Sequence, residues 1–113
     1  MDYSLSRGGE PWVRAAERSD FLGRLIGWMG QAREGLRDQA LWFPDCRSLQ
    51  TTFMRFPLDV YFLDGSRRVI RRCLDVGSFR LVSCPSADSA LELPAGSCRR
   101  LNEGEVLEFR KCA

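Results

Sequence analysis

A chain of 113 residues, 44% of them hydrophobic, is long enough to bury a core without disulfides or metal and short enough to form one domain. Its net charge of +2 excludes strong electrostatic steering toward nucleic acid or an anionic membrane surface. Five cysteines, Cys46, Cys73, Cys84, Cys98 and Cys112, are odd in number and lack Cys-x-x-Cys spacing, so they read as mostly reduced thiols of a cytoplasmic protein.

The first ten residues are polar, carry Gly8-Gly9 and show no apolar period, which predicts a flexible arm over 1–10 ahead of a globular domain over 11–113. They also lack the basic start and apolar run of a signal peptide, and no stretch reaches the roughly 18 apolar residues of a membrane span. Trp12 to Ala16 reads as a short strand with Trp12 its buried residue. Ser19 and Asp20 are suitable caps for a helix whose stripe is Phe21, Leu22, Leu25, Trp28 and Met29. Gln31 to Gln39 reads as a solvated connector.

Ala40 to Phe43 makes a brief strand stopped by Pro44. Leu58 to Leu63 is apolar on both faces, hence a central strand, and ends at the hairpin signal Asp64-Gly65. The return strand is predicted over Arg67 to Leu74, with Arg67, Arg68, Arg71 and Arg72 on a solvated side. No aromatic interleaves these arginines, so they do not read as a nucleic-acid patch. Shorter strands follow at Phe79 to Ser83, Ala90 to Leu93 and Glu105 to Arg110, with a further element at Cys98 to Leu101. The expected fold is α+β, a small, mainly antiparallel β-barrel-like domain with one N-terminal-half helix packed on the sheet.

Basic residues other than Lys111 are all arginine, the better side chain for planar recognition of carboxylate or phosphate. They are spread along the chain, which favours a codon-composition origin over a binding patch. Asp59 stands between Leu58 and Val60 in the most apolar strand. It is either an acid or base facing a pocket or an acceptor for backbone N–H groups that anchors the bend at Arg55 to Pro57. Ser48, Gln50, Thr51 and Thr52 form a polar cluster that either lines a small pocket or satisfies the bend's own backbone.

There is no histidine, so the usual serine triad is excluded, and no metal-ligand spacing is present. Cys46 and Cys84 flank loop prolines and form a conceivable redox pair, though small buried apolar residues is the simpler reading. Glu92, between Leu91 and Leu93, reads as a solvent-facing strand residue or a salt-bridge partner.

The run Cys46-Arg-Ser48-Leu-Gln50-Thr51-Thr-Phe-Met54-Arg-Phe-Pro57-Leu-Asp59, with Leu91-Glu92-Leu93-Pro94-Ala95-Gly96 and Gly104-Glu105, resembles the family called domain of unknown function 192. The resemblance extends from about Ala15 to Phe109 and implies a compact, mainly β domain of bacterial type with a small helix. It implies no activity, cofactor or catalytic residue. Gln50 stands where the family commonly has histidine, so histidine-dependent chemistry is not carried over; Asp59 and Met54 match.

The reading is a non-enzymatic binding or accessory module with a candidate pocket of Cys46, Ser48, Gln50, Thr51, Met54 and Asp59. Its partner is an unidentified small molecule or protein, without cofactor or metal. The alternatives are a hydrolase- or transferase-like enzyme using Asp59 and a cysteine-based redox sensor.

Overall fold

The computed structural model describes residues 1–18, 39–52, 54 and 56–112. Among these, all regular structure is strand: β1 (Asp2–Arg7), β2 (Glu10–Glu17), β3 (Gln39–Pro44), β4 (Ser48–Gln50), β5 (Leu58–Leu63), β6 (Val69–Val76), β7 (Leu81–Ser83), β8 (Ser89–Pro94) and β9 (Leu107–Lys111). Seven strands form one sheet in the order β6-β5-β8-β3-β2-β1-β9, and β4 pairs with β7 in a separate ribbon.

The expected α+β barrel is thereby corrected to an open, mixed β-sheet. The predicted helix, Phe21 to Met29, and most of the predicted connector after it lie outside the described residues. The sheet is mixed because β2 and β3 run parallel, with Arg14 opposite Gln39 and Glu17 opposite Trp42. Parallel neighbours need a crossover of a dozen or more residues, and the chain between Glu17 and Gln39 is long enough to supply it. Closure is incomplete because, among the described residues, the edges β6 and β9 meet only at their ends, where the Arg68–Val106 bridge and the main-chain bonds Val69 N to Glu105 O, Gly104 N to Val69 O and Leu107 N to Arg67 O join them. Beyond that bridge β6 turns to the segment after β8 instead, where the Arg72 guanidinium donates to Leu101 O at 3.1 Å.

Residues 2–7, part of the predicted polar arm, form β1 between β2 and β9. Gly8 and Gly9 have φ of 56° and 82°, the left-handed pair that a tight two-residue hairpin requires. The hairpin predicted at Asp64-Gly65 forms too, but its left-handed residue is Arg67, at φ 64°. Asp64 Oδ1 fixes that turn by accepting Ser66 N at 2.9 Å and Arg68 N at 3.0 Å.

β5 and β8 are buried along their whole length, as a strand apolar on both faces demands. One side of the sheet carries Leu41, Phe43, Leu58, Val60, Phe62 and Ala90, capped by Cys46, Leu49 and Cys84. The opposite side carries Leu5, Ala15, Trp42, Tyr61, Leu63, Leu91 and Leu93. Alternation along β5 therefore assigns even-numbered residues to the first side and odd-numbered ones to the second. Trp12, expected to be the buried residue of its strand, is half-buried, and Val13 takes the core position instead. Cys98 to Leu101 forms no strand, though Leu101 is fully buried.

Candidate functional site

The bend that the sequence singled out is built on Thr51. Its side chain is fully buried, and its hydroxyl donates to Gly77 O at 2.6 Å and accepts Arg80 N at 3.0 Å. Its own N–H donates to Arg80 O, and its carbonyl accepts the N–H groups of Met54 and Phe79. Thr51 thus stitches the end of β4 to the approach to β7. Gln50 and Ser48 are exposed on the ribbon, and Gln50 Oε1 accepts Thr52 N at 3.1 Å. Cys46 is fully buried and donates its thiol to Ser48 O at 3.2 Å.

Asp59 is an odd-numbered residue of β5 and lies on the other side of the sheet, away from Cys46 and Met54, which pack in the first cluster. Its carboxylate is 2% exposed and fully occupied. Oδ1 accepts Asp75 N at 3.0 Å and Arg100 Nη2 at 3.2 Å; Oδ2 accepts Gly96 N at 3.2 Å and Arg100 Nε at 2.9 Å. A two-pronged guanidinium and two backbone donors make a strong, oriented anchor. The side-chain bond to Asp59, followed by the neighbouring charges of Asp59 and Asp75, raises Arg100 above the usual arginine range. Asp75 also bonds Arg100, at 2.8 Å, and holds a left-handed φ of 53°. Nearby, burial pushes the Tyr61 hydroxyl up to about 12 while that oxygen accepts Leu101 N. Arg100 lies 41 residues from its partner, and no local pattern in the sequence announces it.

The residue that sequence reasoning misplaced is Glu92. Far from facing solvent, it is 5% exposed, directly opposite Leu41 on β3 and Val60 on β5, both members of the first apolar cluster. Among the described residues its carboxyl has no hydrogen-bond or ion-pair partner, and burial alone pushes it up to about 8. Its neighbours Leu91 and Leu93 do alternate with it, but they point into the second core, not away from one. The available signal was that β8 carries a single charge and pairs with a strand apolar on both faces, which leaves neither of its sides wet.

The structure therefore brings Cys46 and Met54 to the side of the sheet that Glu92 occupies and sets Thr51 in the bend above it. Ser48 and Gln50 stand on the outer ribbon, and Asp59 belongs to a separate network. Among the described residues no cluster of histidine, cysteine or carboxylate could hold a metal ion, and none of the five cysteines is in a disulfide.

These features define a small β-domain with an open sheet, a separate β4–β7 ribbon and a buried carboxyl, Glu92, that has no partner among the described residues. The chain belongs to the family of domain of unknown function 192, described as Uncharacterized ACR, whose model matches residues 5–109. Two solved structures share the fold. A protein of unknown function from Novosphingobium aromaticivorans is 16% identical with a TM-score of 0.76, over 96% of this chain and 84% of that one. A protein from Sinorhizobium meliloti, provisionally described as a transcription regulator, is 18% identical with a TM-score of 0.77, over 96% and 92%. No curated protein matches the chain.

Proposed function

We propose that the chain is a non-enzymatic binding or accessory module whose ligand meets the Glu92 side of the sheet, with the bend of Cys46, Thr51 and Met54 as its border. The observation that supports this is the Glu92 carboxyl, buried beside an apolar cluster with no hydrogen-bond or ion-pair partner among the described residues. Burying such a group costs free energy that no hydrogen bond from the described residues offsets, which supports a hydrogen bond made to a ligand. Raised to about 8, it is a neutral acid at physiological pH, able to donate one hydrogen bond and accept another.

Asp59 lends no support to the enzymatic alternative, because every acceptor position it would use as a base is taken. A regulator that binds nucleic acid is not supported by the return-strand arginines either. Arg68, Arg71 and Arg72 donate to the carbonyls of Gly104, Ser83 and Leu101, and Arg67 lies over two aromatic rings. Five cysteines outside any disulfide support a reducing, cytoplasmic setting, and among the described residues no helix is long and apolar enough to cross a membrane.

The test is a thermal-shift screen of the full chain against a metabolite collection, repeated with Glu92→Leu. A compound that raises the midpoint of the parent but not of the variant supports the reading. Compounds that stabilise both equally, or turnover of any substrate that Asp59→Asn abolishes without unfolding, overturn it.

A further inference from the structure

On the outward side of β9, β1 and β2 the strand register sets up a second surface that owes nothing to Glu92. Ser4 and Ser6 alternate with the buried Leu5 and so face outward from the middle strand. Ser4 is paired with Arg14 on one flank and Arg110 on the other; Ser6 is paired with Pro11 and Glu108. Short side chains on the central strand between long ones on its neighbours make a trough. It takes the form of two depressions of about 540 and 520 Å³ that share Ser4 and Pro11. A bulge shapes its floor, since Leu5 faces Val13 while Ser6 faces Pro11, leaving Trp12 out of register. Bulges of this kind re-aim groups beside binding sites.

The charges in the trough are ordered. Opposed Cβ atoms are about 5 Å apart, so Arg14 and Arg110 straddle the Ser4 hydroxyl at roughly twice that spacing. Among the described residues Arg14 makes only an exposed ion pair with Asp2 at 3.4 Å, of the kind worth little in water. Arg110 and Glu108 have no charged partner among the described residues. One step along β9, about 6.8 Å at 3.4 Å per residue, the positive row gives way to the row that carries Glu108 and Ser6. With Asp2 included, the four charges cancel, which disfavours a dianion and suits a ligand with one charge of each sign.

We propose that this trough binds a small zwitterion of the ω-amino acid class. Its carboxylate lies between Arg14 and Arg110 over Ser4, and its ammonium reaches Glu108 beside Ser6. The spacing of the two rows selects a ligand whose charges are separated by several bonds over one that carries them on adjacent carbons.

The experiment is an amide NMR titration of the full chain with γ-aminobutyrate, with glycine, acetate and butylamine as comparisons. Saturable shifts confined to Ser4, Ser6, Arg14 and Glu108 to Arg110 are expected, with a dissociation constant on the order of 1 mM for so open a site. Binding should weaken about tenfold in Arg110→Ala, whose spectrum otherwise matches the parent, and salt should weaken it further. Absence of saturable shifts, acetate binding as tightly as γ-aminobutyrate, or full affinity in Arg110→Ala would each overturn the assignment. None of these results bears on the Glu92 site.

Discussion

Replacing Glu92 by glutamine tests the buried carboxyl directly, because the amide keeps the shape of the neutral acid and cannot ionise. The folded chain holds its proton up to about pH 8, whereas the ordinary value is 4.5. Between those limits the folded state binds a proton that the unfolded state has released. The stabilising contribution is thus fully present below about pH 4.5 and is lost as the pH rises through about 8. At about 1.4 kcal/mol per pH unit the full loss is roughly 5 kcal/mol, comparable with the whole stability of a domain this size. Urea unfolding followed by tryptophan fluorescence at half-unit steps from pH 5 to pH 8.5 measures it. Parent and Glu92→Gln are expected to agree within about 1 kcal/mol at pH 5. By pH 8 the variant should be the more stable by about 4 kcal/mol. Parallel stability profiles for the two proteins across that range would refute the argument, since they would mean that Glu92 ionises as easily in the fold as in water.

Asp59→Ala leaves the N–H groups of Asp75 and Gly96 without their acceptor and the Arg100 guanidinium without its buried partner; chemical denaturation should show a loss of about 3–5 kcal/mol. Thr51→Val keeps the shape but removes the hydroxyl shared by Gly77 and Arg80, so a loss of about 1–3 kcal/mol is expected. Gln50→Ala, on the exposed ribbon, should change stability by less than about 0.5 kcal/mol in the same assay. At the left-handed position 67, Arg67→Gly should melt higher than Arg67→Ala by the equivalent of about 1 kcal/mol, because only the alanine keeps the backbone strain once the ring contacts are gone.

The strands legible in the sequence were those whose own residues settle their surroundings. β5 is apolar at nearly every position, so its central place followed from composition alone, and Gly8-Gly9 held the information for a hairpin that the polar residues of β1 obscured. What could not be read was anything that depends on which strand lies beside which. Leu91-Glu92-Leu93 has the alternation of a half-wet strand, and only the placement of β8 between β3 and β5 makes both of its sides dry. Asp59 was correctly singled out as a buried acid in need of donors. Its principal donor, Arg100, approaches from a loop with no regular structure, a contact that spacing does not encode. The barrel expectation failed at a similar point: the strands are there, but closure rests on the pairing of β6 with β9, which is confined to the ends of the two strands, at residues 67–69 and 104–107.

The preference for arginine over lysine also takes on a physical meaning. Arg7, Arg68, Arg71 and Arg72 each donate to a main-chain carbonyl far from themselves in sequence, those of Arg100, Gly104, Ser83 and Leu101. Arg67 lies over Trp42 and Phe109, its Cζ 4.5 and 4.7 Å from their centroids. A lysine ammonium offers neither the fork that spans a carbonyl and a second acceptor nor the plane that stacks. Three of those carbonyls belong to residues 100–104, the segment on which β6 and β1 converge where a closed barrel would have had strand pairing. Because that segment has few ladder hydrogen bonds of its own, guanidinium groups from the flanking strands do the holding. Codon composition can raise the number of arginines in a chain, but it does not aim three of them at the carbonyls of residues 100–104.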